Sequence, residues 1–262
     1  MPNGIRPFLF LHLLKIVHKP DTARQLTTAK VCDILYWLVY SREKRGGRRP
    51  PSRDFEAQGK EIPVAKRDLK AGALLAPVPP ALVTVSNGEE DNVLTVGWTG
   101  ILATHPATTY VSIRPTRHSH GMLLESGEFV IHLPPARLAR QVDYCGTFTG
   151  GKVDKFEKCG FTKEPSATVG APRIAECPVA LECRVKERMP LGTHDMFLAE
   201  ILSVSVDEEL FDEKGKIHME KADLLAYVHG EYFTLGRKVG AFGFSAVKKK
   251  KKGPPSHGTK KA

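Results

Sequence analysis

The sequence predicts a mainly β domain with flanking helices, and three observations point there. Residues 81–86 and 92–98 are β-rich runs separated by the polar, Gly-containing turn Asn87-Gly88-Glu89-Glu90-Asp91, a hairpin pattern. Residues 128–133, Glu-Phe-Val-Ile-His-Leu, alternate as a strand that Pro134-Pro135 ends. Residues 179–185 and 196–206 are again β-rich, joined through Leu191-Gly192-Thr193-His194.

In the first hairpin, a strand running into Trp98 places Leu94, Val96 and Trp98 on one face and Val93, Thr95, Gly97 and Thr99 on the other. Gly97 leaves open space on the Thr face, and a glycine inside a strand often marks the approach of a ligand or a second backbone. Two readings stay open for that face: a half-polar barrel surface or a cofactor bed. About a dozen residues on comes Ser112-Ile113-Arg114-Pro115-Thr116-Arg117-His118-Ser119-His120. Ser119 stands as an N-cap ahead of a short helix over 121–126, with Gly127 as its stop. The first N–H groups of such a helix lack intrahelical partners, so a phosphate fits there with Arg117 as a bidentate donor and Ser119 as a hydroxyl donor. An ordinary capped helix with solvated basic residues is the other reading.

After the strand at 128–133, residues 136–142 read as a helix with Leu138 and Val142 packed inward. Leu181, Cys183 and Val185 share one face of the next strand, and Phe197, Ala199, Ile201 and Val204 are apolar positions of the one after it. A loop or hairpin follows at Asp212-Glu213-Lys214-Gly215. Tyr227 and Tyr232-Phe233 suit the core, the surface, a subunit interface or a ligand site. No internal repeat is present, so one domain is expected.

Charge is informative only by region. The 262-residue chain carries a net +10 and has a pI near 9.4, figures that suggest nucleic acid or membrane partners. Residues 1–63, however, hold 12 Lys plus Arg against 6 Asp plus Glu, and residues 246–262 hold 7 Lys and no acid. That leaves 20 basic and 23 acidic residues in 64–245, a middle region near −3. No specific nucleic-acid partner is therefore expected. The run from Lys248 to Lys252 with Gly253-Pro254-Pro255 reads as a disordered, solvated tail with at most a loose, salt-screened grip on polyanions.

The N-terminal 63 residues have short apolar runs, Phe8-Leu9-Phe10-Leu11-His12-Leu13-Leu14 and Ile34-Leu35-Tyr36-Trp37-Leu38-Val39-Tyr40, too short to span a bilayer. No small-residue cleavage site follows the first. Residues 41–59 are rich in Arg, Gly and Pro and are not expected to order alone. The region is read as an appendage that binds a partner or membrane surface, or as upstream sequence joined to a protein whose own start is Val64 through a non-ATG codon. The second reading is the expectation: after Met1 the next Met is Met122, and Val64-Ala65-Lys66-Arg67-Asp68-Leu69-Lys70 leads naturally into the first strand.

Five cysteines, Cys32, Cys145, Cys159, Cys177 and Cys183, show no Cys-x-x-Cys spacing, so neither a zinc site nor a disulfide framework is indicated. Reduced thiols in a cytoplasm are the simplest account. Cys145, beside Gly146 and ahead of Gly150-Gly151, reads either as a redox thiol or as a small core residue. The chain has no Walker A loop, no Gly-x-Ser-x-Gly elbow, no His-Glu-x-x-His and no Gly-x-Gly-x-x-Gly after a strand. A P-loop, a serine hydrolase, a zincin and a separate dinucleotide domain are thus not signalled.

Taken in order, Pro77-Val78-Pro79 before the Leu-Val-Thr strand, the 92–100 run, the 112–120 run, Gly127-Glu128-Phe129-Val130, Cys145-Gly146, Asp154-Lys155-Phe156, Pro172-Arg173-Ile174, Leu181-Glu182-Cys183 and Leu191-Gly192-Thr193-His194-Asp195 resemble the flavin reductase-like, FMN-binding split-barrel family, in its flavoredoxin branch. The resemblance covers about residues 74–240. It implies a six-stranded Greek-key split β-barrel, usually a homodimer, that binds FMN without a covalent link. It places Thr95, Gly97, Trp98 and Thr99 along the isoalloxazine and ribityl chain, and Ser112, Arg117 and Ser119 at the phosphate. Lys155 would lie near the flavin, and His194 near the flavin or the donor's entry path as the catalytic position. Bland readings remain for the last two: a surface ion pair at a helix start, and a hydrogen-bonded His beside an Asp.

The implied activity is a cytoplasmic NADH- or NADPH-dependent flavin reductase that passes electrons to oxygen, ferric chelates or a redox partner protein. The alternatives are a flavoredoxin-type electron carrier reduced by another protein, and a barrel-fold binding protein that has lost flavin. Such chemistry needs position and exclusion of water from the protein rather than an acid, base or nucleophile.

Overall fold

The computed structural model describes residues 65–246, so the readings made of residues 1–63 and of the Lys-rich tail lie outside the described residues. Every helix and strand named below belongs to the unit that begins at Lys70.

Strands β1 (Ala81–Ser86) and β2 (Asp91–Val96) form the expected antiparallel hairpin, with Ala81 opposite Val96 and Ser86 opposite Asp91. The turn between them is fixed by Asn87, whose side-chain oxygen accepts from the N–H groups of Glu89 and Glu90. Gly88 takes φ 90°, a conformation that favours glycine. Here the strand boundary differs from the sequence reading. β2 ends at Val96, and Thr99 opens a new strand, β3 (Thr99–Thr104), which pairs with β4 (Ala107–Ile113). The run 92–100 is therefore two strands with Gly97 and Trp98 between them.

Helix α1 (His118–Ser126) follows β4 and stops at Gly127, which takes φ 66° and donates its N–H to the Leu123 carbonyl. Its start also differs from expectation: Arg117 occupies the N-cap position without a side-chain cap, and Ser119 already lies inside the first turn. β5 (Glu128–Leu133) has the predicted bounds. Helix α2 (Ala139–Thr147) is preceded by a 3-10 turn over Ala136–Leu138, and Leu138 and Val142 are buried as expected. Helix α3 (Lys155–Cys159) is capped by the Asp154 carboxylate, which accepts from the Glu157 N–H. Two short strands, β6 (Lys163–Glu164) and β7 (Arg173–Ile174), pair with each other.

The strand predicted over 179–185 continues to Pro190 as β8 (Val179–Pro190), and β9 (Asp195–Val206) returns alongside it through a turn at Gly192, φ 82°. A closing hairpin joins β10 (Leu225–Val228) to β11 (Glu231–Thr234).

The main sheet has seven antiparallel strands in the order β2-β1-β5-β8-β9-β4-β3. Its edge strands β2 and β3 are consecutive in the chain and only Gly97 and Trp98 separate them, so the sheet has to curl until its edges meet. The Ser112 N–H donates to the Trp98 carbonyl at 2.9 Å, which carries the β3–β4 ladder one residue into that link. The architecture is the split barrel, with seven strands in the main sheet where the resemblance implied six; β3 and β4 were not read as strands from the sequence.

The barrel interior is filled by Val83, Val85, Leu94, Val96, Val111, Phe129, Ile131 and Phe197, with Met122 and Leu123 of α1 packed among them. A second cluster, Leu82, Val93, Leu138, Val142, Cys145 and Phe156, lies where α2 and α3 cover the outer face of β1 and β2. Both faces of that hairpin are thus buried, which explains why it reads as a near-continuous apolar run. His132 bridges the layers: its Nδ1 donates to the Leu82 carbonyl and its Nε2 accepts from the Ile174 N–H. Burial lowers its pKa to about 4 and keeps the imidazole neutral.

Candidate functional site

A cavity of about 450 Å³ opens where the β2–β3 link, the end of β4, α2 and the β10–β11 hairpin converge. Thr95 lines it from the end of β2, Gly97 and Trp98 from the link, Ser112 from the end of β4, Arg114 and Arg117 from the segment between β4 and α1, and Asp143, Gly146 and Thr147 from α2. His194, Tyr227 and Tyr232 complete these walls.

Hydrogen bonds fix the walls relative to one another. Arg117 Nη2 donates to the Gly146 carbonyl at 2.5 Å, tying the start of α1 to the last turn of α2. Thr95 Oγ1 donates to the Val142 carbonyl at 2.5 Å, so toward a ligand that hydroxyl can only accept. α2 packs tightly there, because a Cβ on Gly146 would stand 3.4 Å from Thr95 Cβ. Across the cavity, Tyr232 donates to Asp143 at 3.4 Å and tilts against Tyr227 with ring centroids 5.5 Å apart. Burial and then the Asp143 charge raise the Tyr232 pKa to about 12, so the phenol stays protonated.

His194 is lowered by partial burial and by Arg114, which leaves it a neutral lining group; its Nδ1 lies 3.0 Å from Thr193 Oγ1. The chain at His194 is held by its neighbour. Asp195, 3% exposed, accepts from His120 Nε2 and Arg188 Nε, both at 2.8 Å. The His120 hydrogen bond, followed by Arg188, holds the Asp195 carboxyl below its ordinary range.

Of the nine residues proposed from sequence, Thr95, Gly97, Trp98, Ser112, Arg117 and His194 come together around the cavity. Thr99, Ser119 and Lys155 do not line it. Thr99 Oγ1 donates to the Tyr110 carbonyl within the β3–β4 pair at 2.6 Å. Ser119, 1% exposed, accepts from Asn92 Nδ2 at 2.7 Å. Lys155 is 3% exposed, and its ammonium donates to the carbonyls of Val93 at 2.7 Å and Cys145 at 3.0 Å. It is a buried tie between β2 and α2 rather than a surface ion pair, and desolvation lowers its pKa to about 8.

Arg114, Asp143, Gly146 and Thr147 were not picked out from sequence. A signal existed for each: Arg114 sits inside the basic 112–120 run, and Asp143, Gly146 and Thr147 share one helix face at i, i+3 and i+4.

Residues 74–236 match the family model described as flavin reductase like domain. This chain belongs to that flavin reductase-like family. Among curated relatives, the chain is 37% identical over 134 residues to an uncharacterized protein of Archaeoglobus fulgidus, covering 51% of this chain and 76% of that one. A Pyrococcus abyssi protein is 34% identical over 167 residues, 63% of this chain and 95% of its own length. Among solved structures, flavoredoxin of Desulfovibrio vulgaris (Miyazaki F) superposes with a TM-score of 0.65 at 30% identity, covering 70% of this chain and all 100% of that one. An FMN-binding protein from Thermus thermophilus, solved with 1-cyclohex-2-enone bound, gives 0.57 at 27% identity over 70% and 99% of the two chains. The flavin reductase-like split barrel, near flavoredoxin, is therefore the family and the fold. Among the described residues no helix is long and apolar enough to cross a membrane.

Proposed function

We propose that this flavin reductase-like chain binds FMN in the cavity and uses NADH or NADPH to reduce it. The observation that carries the reading is the pairing, in one 450 Å³ cavity, of a basic set, Arg114, Arg117 and Ser112, with an aromatic set, Trp98, Tyr227 and Tyr232. That donor set fits a molecule with a phosphate and a flat aromatic ring. When bound, FMN supplies the hydride-accepting ring, and the cavity residues supply position and exclusion of water.

In this reading Arg117 and Ser112 donate to the phosphate, with the Gly146 carbonyl holding the guanidinium in place. Thr95, Gly97 and Trp98 bound the ring, with Thr95 acting as an acceptor. His194, neutral and beside Arg114, stands where a nicotinamide would enter. Thr99, Ser119 and Lys155 act from behind the cavity: Ser119 steadies the first turn of α1 through Asn92, and Lys155 ties α2 to β2. Electrons then pass to a small acceptor or to a redox partner protein. Free thiols at Cys145, Cys159, Cys177 and Cys183 suit a cytoplasmic protein. The exposed apolar side chains of Ile101 and Leu102 on β3 suit a homodimer.

The flavoredoxin likeness supports a second reading, an FMN electron carrier reduced by another protein. An anaerobic absorbance titration of the full chain with FMN, followed by NADH and NADPH, separates them. Flavin bands that shift on binding and bleach within seconds are expected for the reductase. Bands that shift and stay oxidised would move the protein to the carrier reading, and bands that never shift would overturn both.

A further inference from the structure

We propose that Cys145 and Cys159 form a redox-active dithiol that closes to a disulfide when the protein meets hydrogen peroxide. Their Sγ atoms stand 3.8 Å apart, between the last turn of α2 and the end of α3. A disulfide needs about 2.0 Å between sulfurs, so an approach of under about 2 Å closes the pair. α3 is a single five-residue turn released at once by Gly160 in the left-handed conformation, φ 65°, which makes Cys159 the partner able to move.

The two thiols differ in access. Cys145 is fully buried, whereas Cys159 is partly exposed, so the oxidant meets Cys159 first. The Cys159 thiolate attacks one peroxide oxygen, the O–O bond breaks, and the leaving hydroxide takes a proton and departs as water. This leaves a sulfenic acid on Cys159. The Cys145 sulfur then attacks that sulfur, the S–O bond breaks, a second water leaves with the Cys145 proton, and the S–S bond forms. Two thiols lose two electrons, and one peroxide becomes two waters.

Lys155 favours this step. Its ammonium, held by the Cys145 carbonyl at 3.0 Å, interacts favourably with both sulfurs in their charged form. Burial opposes ionisation of both thiols, so the reaction is slow at neutral pH and quickens as pH rises. Cys177 belongs to the same apolar cluster as Cys145, but no sulfur contact to it matches the one between Cys145 and Cys159. The bridge would enclose residues 146–158, a segment that carries Gly146 and Thr147 of the cavity wall. The proposal stands on the thiol geometry and is independent of the flavin reading.

The test uses the full-length reduced protein, treated with hydrogen peroxide at pH 8.5, then denatured in N-ethylmaleimide and analysed by intact mass and peptide mapping. The expected result is a drop from five alkylated cysteines to three, with one cross-linked peptide joining Cys145 to Cys159, restored to five by dithiothreitol. Cys159→Ser, on the partly exposed side, should keep its remaining thiols alkylatable before and after oxidant. Should that variant fail to fold, the wild-type cross-link map decides alone. Five alkylated thiols after oxidation, a bridge to Cys32 or Cys177, or a sulfinic acid at Cys159 without a bridge would each overturn the proposal.

Discussion

Arg117 donates from Nη2 to the Gly146 carbonyl at 2.5 Å, and through that bond the start of α1 and the end of α2 become one wall of the cavity. The guanidinium has further N–H groups, so the same side chain can brace the wall and donate to an anion. The position therefore has a structural and a binding consequence, and the two are separable.

Arg117→Ala should weaken FMN binding by roughly one to two decades through loss of a charge-assisted pair worth about 1.5–3 kcal/mol. Riboflavin, which lacks the phosphate, should lose little. Flavin fluorescence titrations of both ligands check this. Equal losses for the two would show that Arg117 acts through the wall alone.

Lys155→Met should destabilise the fold by about 1–3 kcal/mol, since it leaves the buried carbonyls of Val93 and Cys145 without their shared donor. Its pH signature has a definite sign. With the folded pKa lowered to about 8 from 10.5, the unfolded chain binds more protons between those values. Wild-type stability should therefore gain a rising component from pH 8 to 10.5 that the variant lacks. Urea midpoints across that window measure it, and identical slopes in the two proteins would contradict the assignment.

His132 should dominate a loss of stability in mild acid. It is neutral when folded, with a pKa near 4, and 6.5 when unfolded. Stability is therefore intact above pH 6.5 and falls as pH drops toward 4, by about 3 kcal/mol in all. Protonation would put a hydrogen on Nε2, where the Ile174 N–H now donates. Denaturant curves at pH 7, 5.5 and 4.5 should show the decline, and His132→Gln should show a lower but flatter stability over that range.

Gly150→Ala should cost about 1–3 kcal/mol, because a Cβ there would run into the buried Asn92 amide, which donates to Ser119. In an Asn92→Ala background the same change should cost much less. Additive losses in that double-mutant cycle would show that the two positions do not touch.

Much of the fold was legible in the chain. β5 was read with its observed bounds because Pro134-Pro135 stops it and its apolar residues alternate. Gly127 marked the end of α1 because only a left-handed residue closes the helix there. β8 and β9 were recognisable as a pair, although β8 runs to Pro190 because its polar far end is held by its partner β9. The link at Gly97 was misread, since periodicity continues through Trp98 and nothing local shows that the backbone leaves one ladder for another. Ser119 looked like a cap for a similar reason: its residue type fits, but Asn92, distant in sequence, takes its hydroxyl.

By itself the sequence determined the family, the β1–β2 and β8–β9 pairs and the basic run that meets the cavity, since each rests on residues close in the chain or on a fixed order of short motifs. The tertiary structure alone decided which side chains face the cavity and which sit behind it. Lys155 is the clearest case. Two carbonyls, one 62 residues and one 10 residues away in sequence, turn a charge at a helix start into a buried tie, because a desolvated ammonium is stable only where acceptors have been brought to it.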